Sequence, residues 1–320
     1  MPEAESIPRR AVPGTSIQAS EIGFRFHPSV LGPPSSEDRT IALLQRARSR
    51  GITTFDVGSG SHSHRAERLL AKAFPTPDPG LLILIGRSLT DLVAESNADR
   101  SGSPEATVHS ALERSVHESR SRLGSQSVGL IEWQPSTDPT VGAEEVRDAL
   151  TRLKADGKCG GWVWGTASRQ SVLEVGGGGG ASATLLSGRL SPLDRELLAP
   201  LVERSSLAPL GFFAHDPFGQ GKLDGTLFAR SLADRRPDAR PLNVRELQRE
   251  FDPVLRLGFL TRGTRRSLAQ ASLRFVLRWP WVCCALVPLP TPERLDELLA
   301  AEGTPELTDL EVERILAISP

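Results

Sequence analysis

The chain has 320 residues, 38% hydrophobic and 24% charged, with 38 Lys and Arg against 39 Asp and Glu and a net charge of −1. This length suits one large domain with a sizeable core, expected over 1–320, and the interspersed charges exclude a nucleic-acid surface or a polybasic membrane anchor. No apolar stretch reaches the roughly 18 residues of a membrane span, the opening MPEAESIPRR has no apolar signal core, and Cys159, Cys283 and Cys284 have neither disulfide nor zinc spacing, so a soluble cytoplasmic protein is expected.

Residues 1–15 are expected to be partly flexible. ITTFDV (52–57) reads as a strand, and Ala66, Leu69, Leu70, Ala73 and Phe74 then repeat at helical spacing until Pro75. LLILIGRS (81–88) is a continuous apolar strand, as a sheet covered on both faces requires. A helix is expected over 106–124, closed by Gly124, and a strand over VGLIEWQP (128–135). A helix at 143–157, the strand GWVWGTAS (161–168), a helix at RELLAPLVERSS and the strand APLGFFAHDP follow. The chain closes with a helix at 267–279, the strand VCCALVPLP (282–290) and a helix at PERLDELLAAEG. Between these elements, GGGGG at 176–180 has no Lys-Ser/Thr after it, so 176–182 reads as a flexible Gly-rich loop; GQGKLDG (219–225) lacks P-loop spacing and reads as a turn.

Repeated strand–helix units of this size argue for a parallel sheet, and seven or eight of them favour a closed (β/α)8 TIM barrel over an open doubly wound sheet. No GxGxxG follows the early strands, which weighs against a Rossmann domain.

In a barrel the reactive groups gather at the C-terminal strand ends. Alternation puts Thr54 with Asp56, Ile85 with Arg87, and Leu130 with Glu132 and Gln134. A barrel interior would then hold Asp56, Arg87, Glu132 and Gln134 as a charged cup. This is either an ion-pair network closing a packed barrel or a site where two acids, pushed apart in pKa, divide acid and base roles. His215 ends its strand beside Asp216 and could move protons near neutral pH. His62 and His64 are placed in the loop after the first of these strands, either solvated or facing the pocket; with no matching third ligand, no metal is expected. Trp162 and Trp164 share one face, as core or as a platform for a flat ligand.

The stretch GITTFDVGSGSHSHRAERLLAKAF resembles the signature of the aldo-keto reductase family, in which Gly-Ile-aromatic-Phe-Asp-Thr-Ala leads to Tyr-Gly and then Ser-Glu-x-x-Leu-Gly-x-Ala. IPRRAVPGTSIQASEIGF, ADGKCGGWVWGTAS, FAHDPFGQGKLDG and LAQASLRFVLRWPWVCCALVP resemble the family's opening hairpin and first strand, its Gly-Lys strand, its Ser-Pro-Leu-Gly segment and its last helix–strand pair. The resemblance implies a (β/α)8 barrel whose base is plugged by an N-terminal β-hairpin. It also implies carbonyl reduction with NADPH through Asp, Tyr, Lys and His.

Carried across, the aspartate falls on Asp56, the tyrosine on Ser61, the lysine on Arg87 and the histidine on Gln134; the chain has no tyrosine at all. The pair holding the nicotinamide amide falls on Gly165 and Thr166, the residue stacked on its ring on His215, and the adenine and 2′-phosphate motif on Pro288, Pro290, Arg294, Glu297 and Leu298. A proline in place of a phosphate-binding cation removes a charge and a backbone donor. The expectation is therefore a barrel without cofactor or metal, performing a redox-neutral lyase, dehydratase, isomerase or cyclase step on a small organic substrate in specialised metabolism. Asp56, Glu132 or His215 would move a proton, Arg87 and Gln134 would hold an oxygen, and Ser61, His62, Trp162, Trp164 and Asp216 would contact substrate. Two alternatives stand beside it: an NADPH-dependent carbonyl or imine reductase with His62 or His215 as the acid, and a non-catalytic small-molecule binding protein.

Overall fold

The computed structural model describes residues 7–31, 36–95, 104–124, 126–135, 142–174, 184–227 and 244–318. An antiparallel hairpin, β1 (Arg9–Ala11) and β2 (Gln18–Ser20), precedes eight parallel strands. These are β3 (Ile22–Arg25), β4 (Thr54–Asp56), β5 (Leu82–Ser88), β6 (Leu130–Gln134), β7 (Gly161–Gly165), β8 (Thr184–Arg189), β9 (Leu210–His215) and β10 (Val282–Pro288), and they close in chain order as β10 pairs with β3. The (β/α)8 barrel with its N-terminal hairpin is therefore the fold that the repeated strand–helix units and the family resemblance imply. β8 is the strand that the sequence pattern left unread. The Gly-rich loop at 176–182 lies outside the described residues.

Helices cover the barrel. Among the described residues these are α1 (Pro28–Leu31), α2 (Glu37–Ser49), α3 (Ser61–Ala73), α4 (Leu89–Glu95), α5 (Pro104–Leu123) and α6 (Ala143–Ala155), then α7 (Arg169–Glu174), α8 (Leu198–Leu207), α9 (Val244–Arg256), α10 (Leu268–Leu277), α11 (Pro292–Leu299) and α12 (Asp309–Ala317). Local chemistry sets several starts: Ser267 with Gln270 and Thr308 with Glu311 form reciprocal capping boxes on α10 and α12, and Thr291 caps α11. No described helix is long and apolar enough to cross a membrane.

Two apolar clusters hold the barrel. The inner one joins Leu82, Leu84, Leu130, Val163, Leu185, Phe213, Cys284 and Leu286, and the hairpin's Val12 and Ala19 close it from below. The outer one lies between sheet and helices and takes the alternate residues, among them Phe24, Phe55, Ile83, Ile85, Ile131, Trp133, Trp164, Leu186 and Phe212. Arg10 pins the hairpin by donating to the carbonyls of Leu277, Trp279 and Val282 while pairing with Glu21 at 2.6 Å. The three cysteines are free and buried.

This two-layer division decides which residues reach the mouth. On β5 the inward residues are Leu82, Leu84 and then Gly86, so Ile83, Ile85 and Arg87 face the helices. A side chain at Gly86 would bring its Cβ to 2.8 Å from the Gly58 carbonyl oxygen, so this strand offers backbone rather than a side chain at that level.

Candidate active site

Arg25, Asp56, Glu132, Ser187 and His215 meet at the C-terminal end of the barrel, from five different strands. Each lies in register with the inner face: Arg25 pairs with Asp56 across β3 and β4, and Gly86 with Glu132 across β5 and β6. Asp56 is fully buried; its Oδ2 accepts from Arg25 Nη1 at 2.7 Å and its Oδ1 from the Gly58 amide at 2.8 Å. Arg25 Nη1 also lies against His215 Nδ1. With Nδ1 facing a donor, the proton of a neutral His215 is assigned to Nε2, which donates to Glu132 Oε1 at 2.7 Å. Ser187 Oγ donates to the same Glu132 oxygen at 2.5 Å. Glu132 Oε2 is buried and, among the described residues, has no hydrogen-bond partner.

The electrostatics follow from this packing. Burial, reinforced by the Asp56 carboxylate, pushes the Glu132 carboxyl up to about 7, against the opposing pull of Arg25 and the Ser187 hydroxyl. Glu132 is thus a carboxyl that keeps its proton near neutrality. Burial works to lower Arg25, but Asp56, Glu132 and Asp216 outweigh it and hold the guanidinium charged. Burial also raises Asp216, with Asp194 adding to the effect.

A cleft of about 460 Å³ opens beside the cluster, in the size range of small-molecule sites. Arg25, Glu132, His215, Gln134, Thr166, Ser168, Ser171, Ser187 and Arg189 contribute to its wall. Gln134 ends β6 and its Oε1 accepts from Ser59 at 3.3 Å.

Several expected site residues lie elsewhere. Arg87 is not in the cup: it is buried among α3 and α5, where Nε donates to Ser115 Oγ at 2.5 Å and Nη2 lies 3.5 Å from Glu67. Glu67 is held in turn by Ser119 and Arg122. The alternation on β5 that groups Ile83, Ile85 and Arg87 is right, but that face is the outer one. Trp162 and Trp164 also face the helices: Trp164 is buried in the outer cluster, with its ring 6.4 Å from that of Trp162. They are core, not a ligand platform. His62 is exposed on the first turn of α3 rather than in a loop, and His64 lies on the same helix. Ser61 opens α3, and its side chain lies outside what the structure describes. Asp216 follows His215 in left-handed backbone (φ 52°) and caps the next turn, accepting from the Gln220 amide at 2.7 Å. Arg294 sits on α11 with Nη1 2.5 Å from Glu297 and Nη2 donating to the Asp224 carbonyl at 2.5 Å.

Arg25 and Ser187 were missed from the sequence. Both follow the pattern that marks Asp56, a polar residue ending or interrupting a short apolar strand, in IGFR and TLLSGR.

Residues 29–320 match the model of the aldo/keto reductase family. Among solved structures, the holo form of an aldo-keto reductase from Bacillus halodurans superposes with a TM-score of 0.72 at 17% identity, covering 97% of this chain and 95% of that one. A thermostable aldo-keto reductase solved with the inhibitor epalrestat gives 0.72 at 17%, over 96% of this chain and 98% of the other. A glycerol dehydrogenase from Gluconobacter oxydans gives 0.71 at 16%, over 97% and 95%. At these identities the superpositions speak for the fold, and the family match speaks for the chemistry. It overturns the expectation of a cofactor-free lyase, dehydratase, isomerase or cyclase: the matched family is one of reductases, and nothing in the comparisons points to a redox-neutral step. From the hairpin-plugged barrel, the strand-end cluster and the match over residues 29–320 together, the chain belongs to the aldo/keto reductase family.

Proposed function

We propose that the protein is a nicotinamide-dependent carbonyl reductase in which Glu132, backed by His215, supplies the proton to the carbonyl oxygen. The observation that carries this reading is the buried Glu132–His215 pair on the wall of the cleft, with Glu132 Oε2 lacking any partner among the described residues. A protonated carboxyl with one oxygen uncommitted is a hydrogen-bond donor awaiting an acceptor. The chain has no tyrosine to do this work, and His62 sits exposed on a helix surface.

The residues of the cleft fit the nicotinamide end of such a cofactor. A flat carboxamide needs neutral donors and acceptors, and Gln134 and Ser168 offer them. Thr166 and Ser171 are less available, since their hydroxyls donate to the Ser187 and Ser168 carbonyls at 2.8 and 2.7 Å. Bound NADH or NADPH would supply the hydride. The protein's part is then to hold the carbonyl carbon toward it, exclude water and deliver one proton to oxygen, so that C=O becomes CH–OH. Arg25 keeps Asp56 paired and fixes the tautomer of His215, and His215 with Ser187 orients the Glu132 carboxyl.

Titration of the purified protein with NADH and NADPH, followed by nucleotide fluorescence, tests the first half of this reading. Nucleotide oxidation with a panel of aldehydes and ketones tests the second. Absence of nucleotide binding, or a Glu132→Gln variant that reduces carbonyls at the wild-type rate, would remove the assignment.

A further inference from the structure

Arg25 ends β3 on the wall of the cleft, with its side chain one-quarter exposed. Its Nη1 faces both Asp56 Oδ2 and His215 Nδ1. Its Nε and Nη2 make no hydrogen bond to any described residue. These two nitrogens share one edge of the guanidinium plane, and that edge matches the two oxygens of a carboxylate. Asp56 is fully buried and turned to Nη1 and the Gly58 amide, so it takes no part on that edge.

The same imidazole links this arginine to the proton donor: Arg25 Nη1 contacts His215 at Nδ1, and Nε2 of that ring reaches Glu132 at 2.7 Å. A ligand held on the free edge with its carbonyl at Glu132 carries both an acid group and a carbonyl. Arg189, on the same wall, is paired with Asp194 at 3.1 Å and is more than half exposed, so it adds a screened positive charge at the rim.

We propose that the substrate is an oxo acid, a carbonyl compound that also bears a carboxylate, anchored through its carboxylate on the Nε–Nη2 edge of Arg25. This rests on the reductase reading for its chemistry, but the anchoring is a binding property that stands apart from turnover.

The test uses the purified protein without nucleotide and isothermal titration with 2-oxobutanoate and with 2-butanone, which lacks the carboxylate. The expected result is at least a roughly tenfold preference for the acid, the scale of a charge-assisted bidentate contact. Because Arg25→Gln leaves Asp56 buried without its partner, the double variant Arg25→Gln/Asp56→Asn is measured beside it, with a thermal melt to show that both fold. Both are expected to lose the preference, and Arg25→Lys to lose most of it, since an ammonium cannot reproduce the fork. Arg189→Gln is expected to keep it. Equal binding of the two ligands, retention of the preference by the folded double variant, or its loss in Arg189→Gln alone would each overturn the proposal. Nucleotide fluorescence on the same samples separates the two ideas. Nucleotide binding without acid preference removes only the substrate class; acid preference without nucleotide binding removes the reductase reading and leaves the anchor.

Discussion

Glu132 and His215, 83 residues apart in the chain, meet across the barrel mouth with Oε1 and Nε2 2.7 Å apart. β6 and β9 are not neighbours in the sheet, so only closure of the barrel brings the two together. Replacing Glu132 by Gln preserves shape and hydrogen bonding to Ser187 but removes the transferable proton. Turnover of a reduced carbonyl is expected to fall by about 10²–10⁴-fold, with nucleotide affinity retained. Wild-type reduction should also decline as pH rises through about 7, where Glu132 gives up its proton, and the variant should lose that limb. A pH–rate profile of both proteins checks this.

The same carboxyl makes stability depend on pH. Its folded pKa of about 7 lies above the ordinary 4.5, so between those values the folded state binds more protons than the unfolded one. The stabilising contribution is complete below pH 4.5 and is lost as pH rises through about 7. Over that window the wild type should lose on the order of 3 kcal/mol more than Glu132→Gln does. Urea midpoints of both proteins at the two ends of the range measure the difference, and parallel curves would contradict the buried, protonated Glu132.

Arg87 is expected to matter for folding and not for chemistry. It is buried against Glu67, Ser115 and Ser119 on the outer face of β5. Arg87→Met strands Glu67 with only part of its network and should cost about 3–5 kcal/mol. The double variant Arg87→Met/Glu67→Gln should recover much of it. Turnover per folded molecule should stay at the wild-type level in both; a specific loss of kcat in the folded double variant would return Arg87 to the site.

Trp164→Ala carries the parallel expectation for β7. The indole is buried in the outer core beside Trp162, with the Arg147 guanidinium 5.8 Å from its ring centre. Truncation should cost about 3–5 kcal/mol and leave KM for a carbonyl substrate unchanged within twofold. A melt and a steady-state assay on the same sample separate stability from binding.

Much of this architecture was legible in local signals. The alternation of apolar strands with helical repeats implied a closed parallel barrel, and polar residues at strand ends marked Asp56, Glu132, Gln134 and His215 as mouth candidates. The structure places Glu132, Gln134 and His215 on the cleft wall and Asp56 against Arg25. Arg87 was misplaced because period-two alternation tells which residues share a face, not which face turns inward. LLILIG is apolar on both faces, as a strand buried on both sides must be, so hydrophobicity gave no vote.

What the chain's order of residues determined by itself is the repeat of elements and the absence of a phenolic acid, because each is a property of composition or of neighbours along the chain; the hairpin at its start came from the family resemblance. Tertiary structure alone decided the inward face of β5, the entry of Arg25 and Ser187 into the cluster, and the retention of a proton on Glu132 near neutrality. These depend on barrel register and on distances of a few ångströms between strands far apart in sequence, where burial removes the water that would otherwise hold the carboxylate charge.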